Sequence, residues 1–400
     1  MNIKSLLIGS ASAAVLSTSA LAADAVVYAD PEPMEYVRIC DVYGAGFFYI
    51  PGTETCMRIG GYVRFQLNMG FSDYTANTGG VNVGGTSLTS GYNVLARFAP
   101  NFDVRSSSDW GTIRAFGEVE FDYTSSGAGS NTFLRHAFVD IGDRNFLRIG
   151  RNWSPYGVYV GPGGNIADGI YGRRTVNAIA YYFNSGQPSG TAGGNIAPGA
   201  GFSGFIALVD NERTVVDGGG NVYAANSWRT DVEAGLGYGW QGGFFRVAAA
   251  YDSNAVDIFG NRVDVFSVKA GVQQSFGALT ARAVVFYNGN IDVAVGPGAQ
   301  TGNTQNYGLG IANTLGSRWS ILGGLDYDFS PTTKGVLTAQ WFDDPHGVTY
   351  NDGESVRWTV AAGVDFRPAS GLRIRPEVTY LNRRNGVGTW GGTIRLDRSF

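Results

Sequence analysis

An all-β fold, a transmembrane antiparallel β-barrel of about sixteen strands, is what this sequence predicts. Three observations carry that reading. Runs of apolar/polar alternation recur along most of the chain, as strands with one oily and one polar face require. Short and long connections alternate between those runs. The polar faces carry more charge than a dry interior tolerates. Composition agrees: of 400 residues 60 are Gly, 21 Tyr, 24 Phe and 8 Trp, a content that favours strands and turns over helices. Beyond the N-terminus no segment reaches the ~18 uninterrupted apolar residues of a spanning helix.

The chain opens with a segment outside the fold. Lys4 supplies a positive region, Ser5 to Ser19 a small-residue apolar stretch, and Ala20-Leu21-Ala22 a cleavage site. This is the three-part pattern of a secretory signal peptide over residues 1–22. Export sends Cys40 and Cys56, the only two cysteines, to an oxidising space. A disulfide is expected there, closing a loop of about 17 residues and worth roughly 3 kcal/mol in the chain-entropy model. Two free buried thiols are the alternative. His136 and His346, the only histidines, lack ligand spacing to the cysteines, so no metal site and no cofactor are expected.

The strands follow. Arg58 to Asn68 alternates apolar odd with polar even positions. Tyr92 to Arg105 sets Val94, Phe98, Phe102 and Val104 against Asn93, Arg97, Asn101 and Asp103. After a turn at Ser106 to Asp109, Gly111 to Tyr123 sets Ile113, Val119 and Phe121 against Arg114, Glu118, Glu120 and Asp122. Short turns are expected near Gly142, Gly242, Gly277, Pro331 and Ser370, and long loops at residues 72–90, 211–226, 253–261, 292–306 and 343–353. Asn184 to Gly201 breaks the rule, being long where a short turn is due, and is read as an insertion. Phe133 to Ile141 alternates poorly around His136, which suggests a subunit contact on the first strands.

The late strands decide which face meets what. Trp358, Val360, Ala362, Val364 and Phe366 oppose Arg357, Thr359, Asp365 and Arg367. Ile374, Pro376, Val378 and Tyr380 oppose Arg373, Arg375, Glu377 and Thr379. Charges of both signs on one face need water, so the oily side faces lipid and the charged side a wet lumen. Trp319, Tyr327, Phe329, Trp341, Trp358, Phe366, Tyr380 and Trp390 fall near strand ends, where aromatic girdles sit. The last strand ends on Phe400, with Trp390, Ile394 and Leu396 alternating against Thr393, Arg395 and Asp397. Such a terminus suits recognition by the machinery that inserts barrels into a bacterial outer membrane.

At this point the chain resembles a known family. Tyr36 to Cys56, running through Arg38-Ile39-Cys40-Asp41-Val42-Tyr43-Gly44-Ala45-Gly46 into Met57-Arg58-Ile59-Gly60-Gly61-Tyr62-Val63-Arg64, is similar to the opening of alphaproteobacterial porins of the Rhizobiales type. The Ala23-Asp24-Ala25-Val26-Val27 start, Glu32-Pro33-Met34-Glu35 and the closing Phe400 fit the same family. The resemblance spans the mature chain and is tightest at Cys40 to Arg64 and Arg135 to Arg151. It implies a sixteen-stranded, homotrimeric general porin whose third external loop folds into the lumen. The organisation expected is a signal peptide at 1–22, a periplasmic-side segment with the disulfide loop at 23–56, and the barrel at 57–400.

Candidate pore residues come from counting by twos. Arg64, Arg97, Arg114, Arg135 and Arg148 fall on lumen faces of the first five strands. Arginine holds its charge and its rigid fork allows stacking in clusters. Ser154 to Val176, rich in Gly and Tyr, is too irregular for a strand, and long loops of this kind are usually functional. It is read as the constriction and supplies Asp168, with Arg173 and Arg174 at its exit. A transverse field between these groups would orient dipolar solutes. The plain alternative is that the arginines solvate a wet wall or pair with Glu118, Glu120 and Asp122.

Other chemistries fit poorly. Gly161-Pro162-Gly163-Gly164 lacks the Lys-Ser/Thr of a phosphate loop. No nucleophile motif surrounds His136 or His346, so an outer-membrane barrel enzyme is the remotest reading. The lumen positions are mostly Arg, Asp, Glu, Thr, Asn and Gly, without the aromatic slide of a sugar channel. Passive diffusion of ions and small hydrophilic solutes is therefore expected, with a sugar- or anion-selective channel as the alternative. Expected partners are outer-membrane lipid and lipopolysaccharide, the barrel-insertion machinery, and two further copies of the chain. A formal charge of −4 argues against nucleic acid.

Overall fold

In the computed structural model, the described residues are 38–70, 82–83, 86–87, 91–125, 129–160, 175–185, 201–210, 214–216, 222–224, 230–256, 262–289, 318–343, 356–383 and 388–400. Contacts divide the chain into two compact units, Met1–Ile39 and Cys40–Phe400. Only the last two residues of the first unit are described, and the signal-peptide reading falls outside them. Everything below belongs to the second.

Sixteen strands close into one antiparallel barrel, with the two-residue strand Phe48–Tyr49 as a seventeenth member of the sheet. We number the barrel strands β1 (Cys56–Gly70), β2 (Gly91–Ser108), β3 (Gly111–Thr124), β4 (Gly129–Gly142), β5 (Phe146–Trp153), β6 (Thr175–Phe183), β7 (Gly201–Val209) and β8 (Asp231–Trp240). The second half holds β9 (Gly243–Val256), β10 (Arg262–Phe276), β11 (Leu279–Asn288), β12 (Trp319–Ser330), β13 (Thr333–Phe342), β14 (Val356–Ala369), β15 (Leu372–Arg383) and β16 (Gly388–Ser399). Each strand pairs with its neighbour in sequence, and β1 closes the ring on β16 from Tyr62↔Ser399 to Gly70↔Gly391. Closure leaves no free sheet edge, which a lipid environment demands.

The short turns gather at one rim. The β2–β3, β8–β9, β10–β11, β12–β13 and β14–β15 connections have two residues each. β6 ends at Phe183 and β7 begins at Gly201 on this same rim, so the connection between them is long where its neighbours have two or three residues. The first turn sits at Asp109 and Trp110, slightly later than its sequence placement, because β2 keeps pairing with β3 to Ser108↔Gly111.

Facing follows the pleat. Ile59, Val63, Phe65, Phe98, Phe102, Phe121, Ile206, Leu236, Ile321, Leu325 and Ile394 are exposed on the outer surface. Gln66, Asn93, Asp103, Arg114, Glu120, Asp140, Glu233, Asp365, Glu377 and Asp397 are buried on the inner one. Lipid-side rings link into a belt near the long-loop rim: Tyr287 meets Trp319 at 4.7 Å, and Tyr380 meets both Trp358 at 5.1 Å and Trp390 at 4.7 Å. Near the short-turn rim Tyr327 and Phe329 pack at 5.0 Å, as do Phe202 and Tyr238. Belts at these two levels match the two membrane interfaces.

The irregularity at His136 has a local cause. Glu118 pairs with His136 and Val119 with Leu134, so Arg135 is an extra residue in β4. A β-bulge of this kind reverses the phase of alternation. Arg135 bonds Glu120, and His136 is buried among Phe116, Phe138 and Trp153. The broken pattern therefore points two polar side chains inward and is not a mark of an outer contact surface.

Below β1, Cys40 and Cys56 form a disulfide with Cα atoms 6.1 Å apart. With Phe47 they make a small buried cluster, against which Tyr43 and Tyr49 pack. Further along β1, Phe400 helps to close the ring: its N–H donates to the Gly61 carbonyl and its carbonyl accepts from the Gly61 N–H. Gly61 has φ of 154°, and a Cβ there would lie 2.9 Å from the Phe400 ring. No other residue type fits that closure without displacing it.

Candidate functional site in the barrel lumen

The inner wall of β1 to β5 carries an ion-pair network in two tiers. In the tier nearer the short turns, Asp103 accepts from Arg105 at 2.8 and 2.9 Å and from Arg114 at 2.9 and 3.0 Å. Arg148 forks onto Asp140 at 2.7 and 2.8 Å. The side chains of Arg114, Asp103 and Asp140 are wholly buried. Aromatic faces sandwich the guanidinium groups: Arg148 lies 3.9 Å from the Phe138 centroid, Arg114 4.8 Å from Phe116, and Arg105 5.3 Å from Phe47. Bidentate, stacked arginine is the form in which such a charge survives burial.

The upper tier is wetter. Arg97 forks onto Asp122 at 2.7 and 2.6 Å and reaches Glu120 at 2.8 Å. Arg135 shares Glu120, and Arg64 donates to Asp397 at 2.6 Å. Side-chain exposures of 18% for Arg64, 12% for Arg97 and 18% for Arg135 separate these three from the dry arginines below. The sequence-derived set is thus brought onto one wall but split by depth: Arg64, Arg97 and Arg135 touch the lumen, whereas Arg114 and Arg148 are sealed in the wall.

Two arginines join the upper tier that the sequence-derived set omits. Arg395 donates to Gln66 at 2.5 Å, and Arg375 lies 3.9 Å from Asp397. Register sets Arg97 opposite Arg64 and Arg375 opposite Arg395. Arginines from β2, β1, β16 and β15 therefore form one band. Alternation already puts Arg375 and Arg395 on the polar face; the closure of β16 on β1 is what carries them beside Arg64.

Across from this band the wall has another character. The chain leaves β5 at Ser154 and forms a short helix, α1 (Pro155–Tyr159), every residue of which is buried. Ser154 caps it, accepting from the Gly157 N–H at 3.0 Å, and Pro155 fits the first turn. Glu233 on β8 accepts from the Ser154 hydroxyl at 2.8 Å and from the Tyr156 N–H at 2.8 Å. At the other end Arg246 on β9 donates to the Tyr159 carbonyl at 2.6 Å and Lys269 on β10 to the Gly157 carbonyl at 3.1 Å. An acid at the N-terminal end and cations at the carbonyl end satisfy the helix's orphan groups. The Tyr159 hydroxyl donates to the Ser203 carbonyl at 2.9 Å. Burial raises that hydroxyl's pKa, so it remains a neutral donor.

Beneath α1, inward side chains of β6, β7, β9, β11 and β12 supply an apolar patch: Val176, Ala180, Tyr182, Phe205, Ala207, Val209, Ala248, Ala250, Val284, Phe286 and Leu322 form one buried cluster with Phe146, Tyr156, Tyr159 and Val160. Glu233, Arg246 and Lys269 sit within it as the polar anchors that sequence reading missed. Lys269 was visible as one of only three lysines, but nothing local ties it to a helix more than a hundred residues earlier. Asp168, Arg173 and Arg174 lie outside the described residues, as does 161–174 of the segment 154–176. Among the described residues no group of three or more His, Cys, Asp or Glu side chains is arranged to hold a metal ion.

Comparison with known proteins adds relatives. The family model described as "Porin subfamily" matches residues 24–391. Porin Omp2b of Brucella canis is 33% identical over 423 residues, covering 100% of both chains, and Porin Omp2b of Brucella abortus is equally similar. Among solved structures, the outer-membrane channel DcaP of Acinetobacter baumannii superposes with a TM-score of 0.58 at 14% identity, over 88% of this chain and 99% of that one. A mutant of Rh. blastica porin gives 0.52 at 13% identity, over 86% and 100%. These last two speak for the fold alone.

Proposed function

The chain belongs to the porin subfamily, and from that premise we propose how its barrel conducts. It is a multi-pass β-barrel of the outer membrane and a general diffusion channel for ions and small hydrophilic solutes. Its family points to a channel rather than an enzyme. In our reading the third external loop, residues 154–176, enters the lumen and narrows it. The observation that carries this is α1, whose ends are bonded to inward side chains of β8, β9 and β10. Facing it across the aperture, Arg64, Arg97 and Arg135, joined by Arg375 and Arg395, form the basic side of the constriction. Asp168, Arg173 and Arg174 are assigned to the loop side. Arg114 and Arg148, being sealed, act through the wall and not on solutes.

The remaining assignments extend the same picture. Residues 1–22 are removed on export, residues 23–56 lie on the periplasmic side, and Phe400 serves as the insertion signal. Three copies assemble through the outer face of β1 to β3. Phe98 stacks there on Phe121 and on Phe400, each at 6.2 Å, in the middle of the wall. Lipid and lipopolysaccharide contact the aromatic belts elsewhere.

Purified protein in a planar bilayer should give large ohmic conductance appearing in steps of three. Silence, or saturable conductance blocked by one sugar, would overturn general diffusion. Reversal potential in a salt gradient, wild type against Asp168→Asn, assigns the loop acid: replacement should move it toward anions, and no change would remove Asp168 from the constriction.

A further inference from the structure

The inner wall is not a flat support for α1. Strands β8 and β10 present glycines at the inward positions under the helix, and the segment fills the space that their missing side chains leave. A Cβ at Gly237 would lie 2.9 Å from the Tyr159 hydroxyl and 2.8 Å from the side chain of Arg246, while one at Gly235 would overlap the Phe205 ring and meet the Tyr159 ring at 3.0 Å. At Gly271 a Cβ would overlap a Val160 methyl group. Inward positions of the same two strands carry Glu233 and Lys269, and β9 between them carries Arg246; these hold both ends of the helix. None of these glycines needs a left-handed backbone, since none has a φ in that range. Their smallness therefore answers to the side chains packed over them, Val160 at Gly271, Tyr159 with Arg246 at Gly237 and Phe205 with Tyr159 at Gly235, and not to a turn.

We propose that this glycine groove, with its three charged anchors, is the element that sets the pore's aperture. It does so by fixing how deep the constriction segment sits in the wall. Gly237 and Gly271 act as positioning residues that touch no solute. The inference rests on the reading that residues 154–176 narrow the lumen. A methyl group added under the helix lifts it toward the arginine band, because the wall on the other side is a continuous hydrogen-bonded sheet whereas the helix is held by a few side-chain bonds. Interiors packed to this density transmit such a displacement instead of absorbing it.

The test is single-channel conductance of folded, bilayer-inserted protein. Gly271→Ala should lower conductance to roughly half, and Gly237→Ala should lower it in the same direction. Adding Val160→Ala to Gly271→Ala removes the overlapping methyls and should restore the wild-type value. A merely structural defect would not be rescued in that way. Gly323→Ala, whose Cβ meets nothing within 4 Å, serves as the control and should leave conductance unchanged. If folded Gly271→Ala and Gly237→Ala both conduct like wild type, the groove does not set the aperture. A separate variant, residues 155–160 replaced by Gly and Ser, tests the underlying reading. Wild-type conductance from it would remove the constriction itself, whereas increased conductance alongside unaffected glycine variants would remove only the groove. Should Gly271→Ala fail to fold, Gly237→Ala carries the decision alone.

Discussion

The two halves of the lumen wall obey one rule outside and opposite rules inside. Every strand shows lipid an apolar face. Inward, β1 to β5 present Arg64, Arg97, Asp103, Arg114, Glu120, Asp140 and Arg148, whereas β6 to β12 set an apolar patch of Ala180, Tyr182, Phe205, Ala250, Phe286 and Leu322 around a few charged side chains such as Glu233, Arg246 and Lys269. The difference lies in what covers each half. In the first the charged groups meet matched counter-charges of the wall; over the second lie residues 154–160 of the chain itself. A residue facing the middle of a wide barrel is thus not polar by default. Its polarity follows from whether solvent or protein sits above it.

The largest effect expected from this contrast is in the dry tier of the charged half. Asp103 holds three arginines: Arg58 at 3.5 Å and, more closely, Arg105 and the fully buried Arg114. Asp103→Ala strips the bidentate partner from Arg105 and Arg114, at a cost of about 3–5 kcal/mol. Urea unfolding of the detergent-folded barrel should show it as a large drop in midpoint, with conductance of the surviving folded fraction little changed. A drop below about 1 kcal/mol would mean that water reaches this tier and that the two tiers are one.

In the covered half the matching probe is Leu322, which is wholly buried on β12. Leu322→Ala should cost about 2–4 kcal/mol through lost burial and a residual cavity. The same change at a position of that parity in a water-filled lumen would be almost free. A near-neutral result in the unfolding midpoint would show that the apolar inner face is not packed against the segment over it.

This contrast also explains what could be read in advance. In β1 to β3 and β14 to β16 the two faces differ in polarity, so period-two counting found the strands, their facing and most of the arginines. In stretches of β6 to β8 both faces are apolar or glycine, as in Tyr181-Tyr182-Phe183 and Ala234-Gly235-Leu236-Gly237. There the alternation signal fades although the pleat persists, and strand limits around residues 184–201 were the hardest to draw. Glu233, Arg246 and Lys269 stayed hidden for a related reason. Their partners are backbone groups of a helix far away in sequence, and no local pattern encodes that contact.

The smallest effect on stability, and the most telling for function, belongs to the wet tier. Arg64 and Asp397 are bonded at 2.6 Å but keep side-chain exposures of 18% and 11%. Solvent screens such a pair, and Arg64 stands beside Arg97 and the Arg375–Arg395 band, whose like charges oppose it. Arg64→Gln should therefore cost about 1 kcal/mol or less. It removes one positive charge from the lumen surface while Asp397 remains, so the reversal potential in a salt gradient should shift toward cation preference. Arg114→Gln removes the same formal charge from a site that solutes do not reach. It should lower the unfolding midpoint far more and move the reversal potential far less. Equal selectivity shifts from the two variants would mean that depth in the wall does not matter, and the division of the arginines into structural and solute-facing sets would fail.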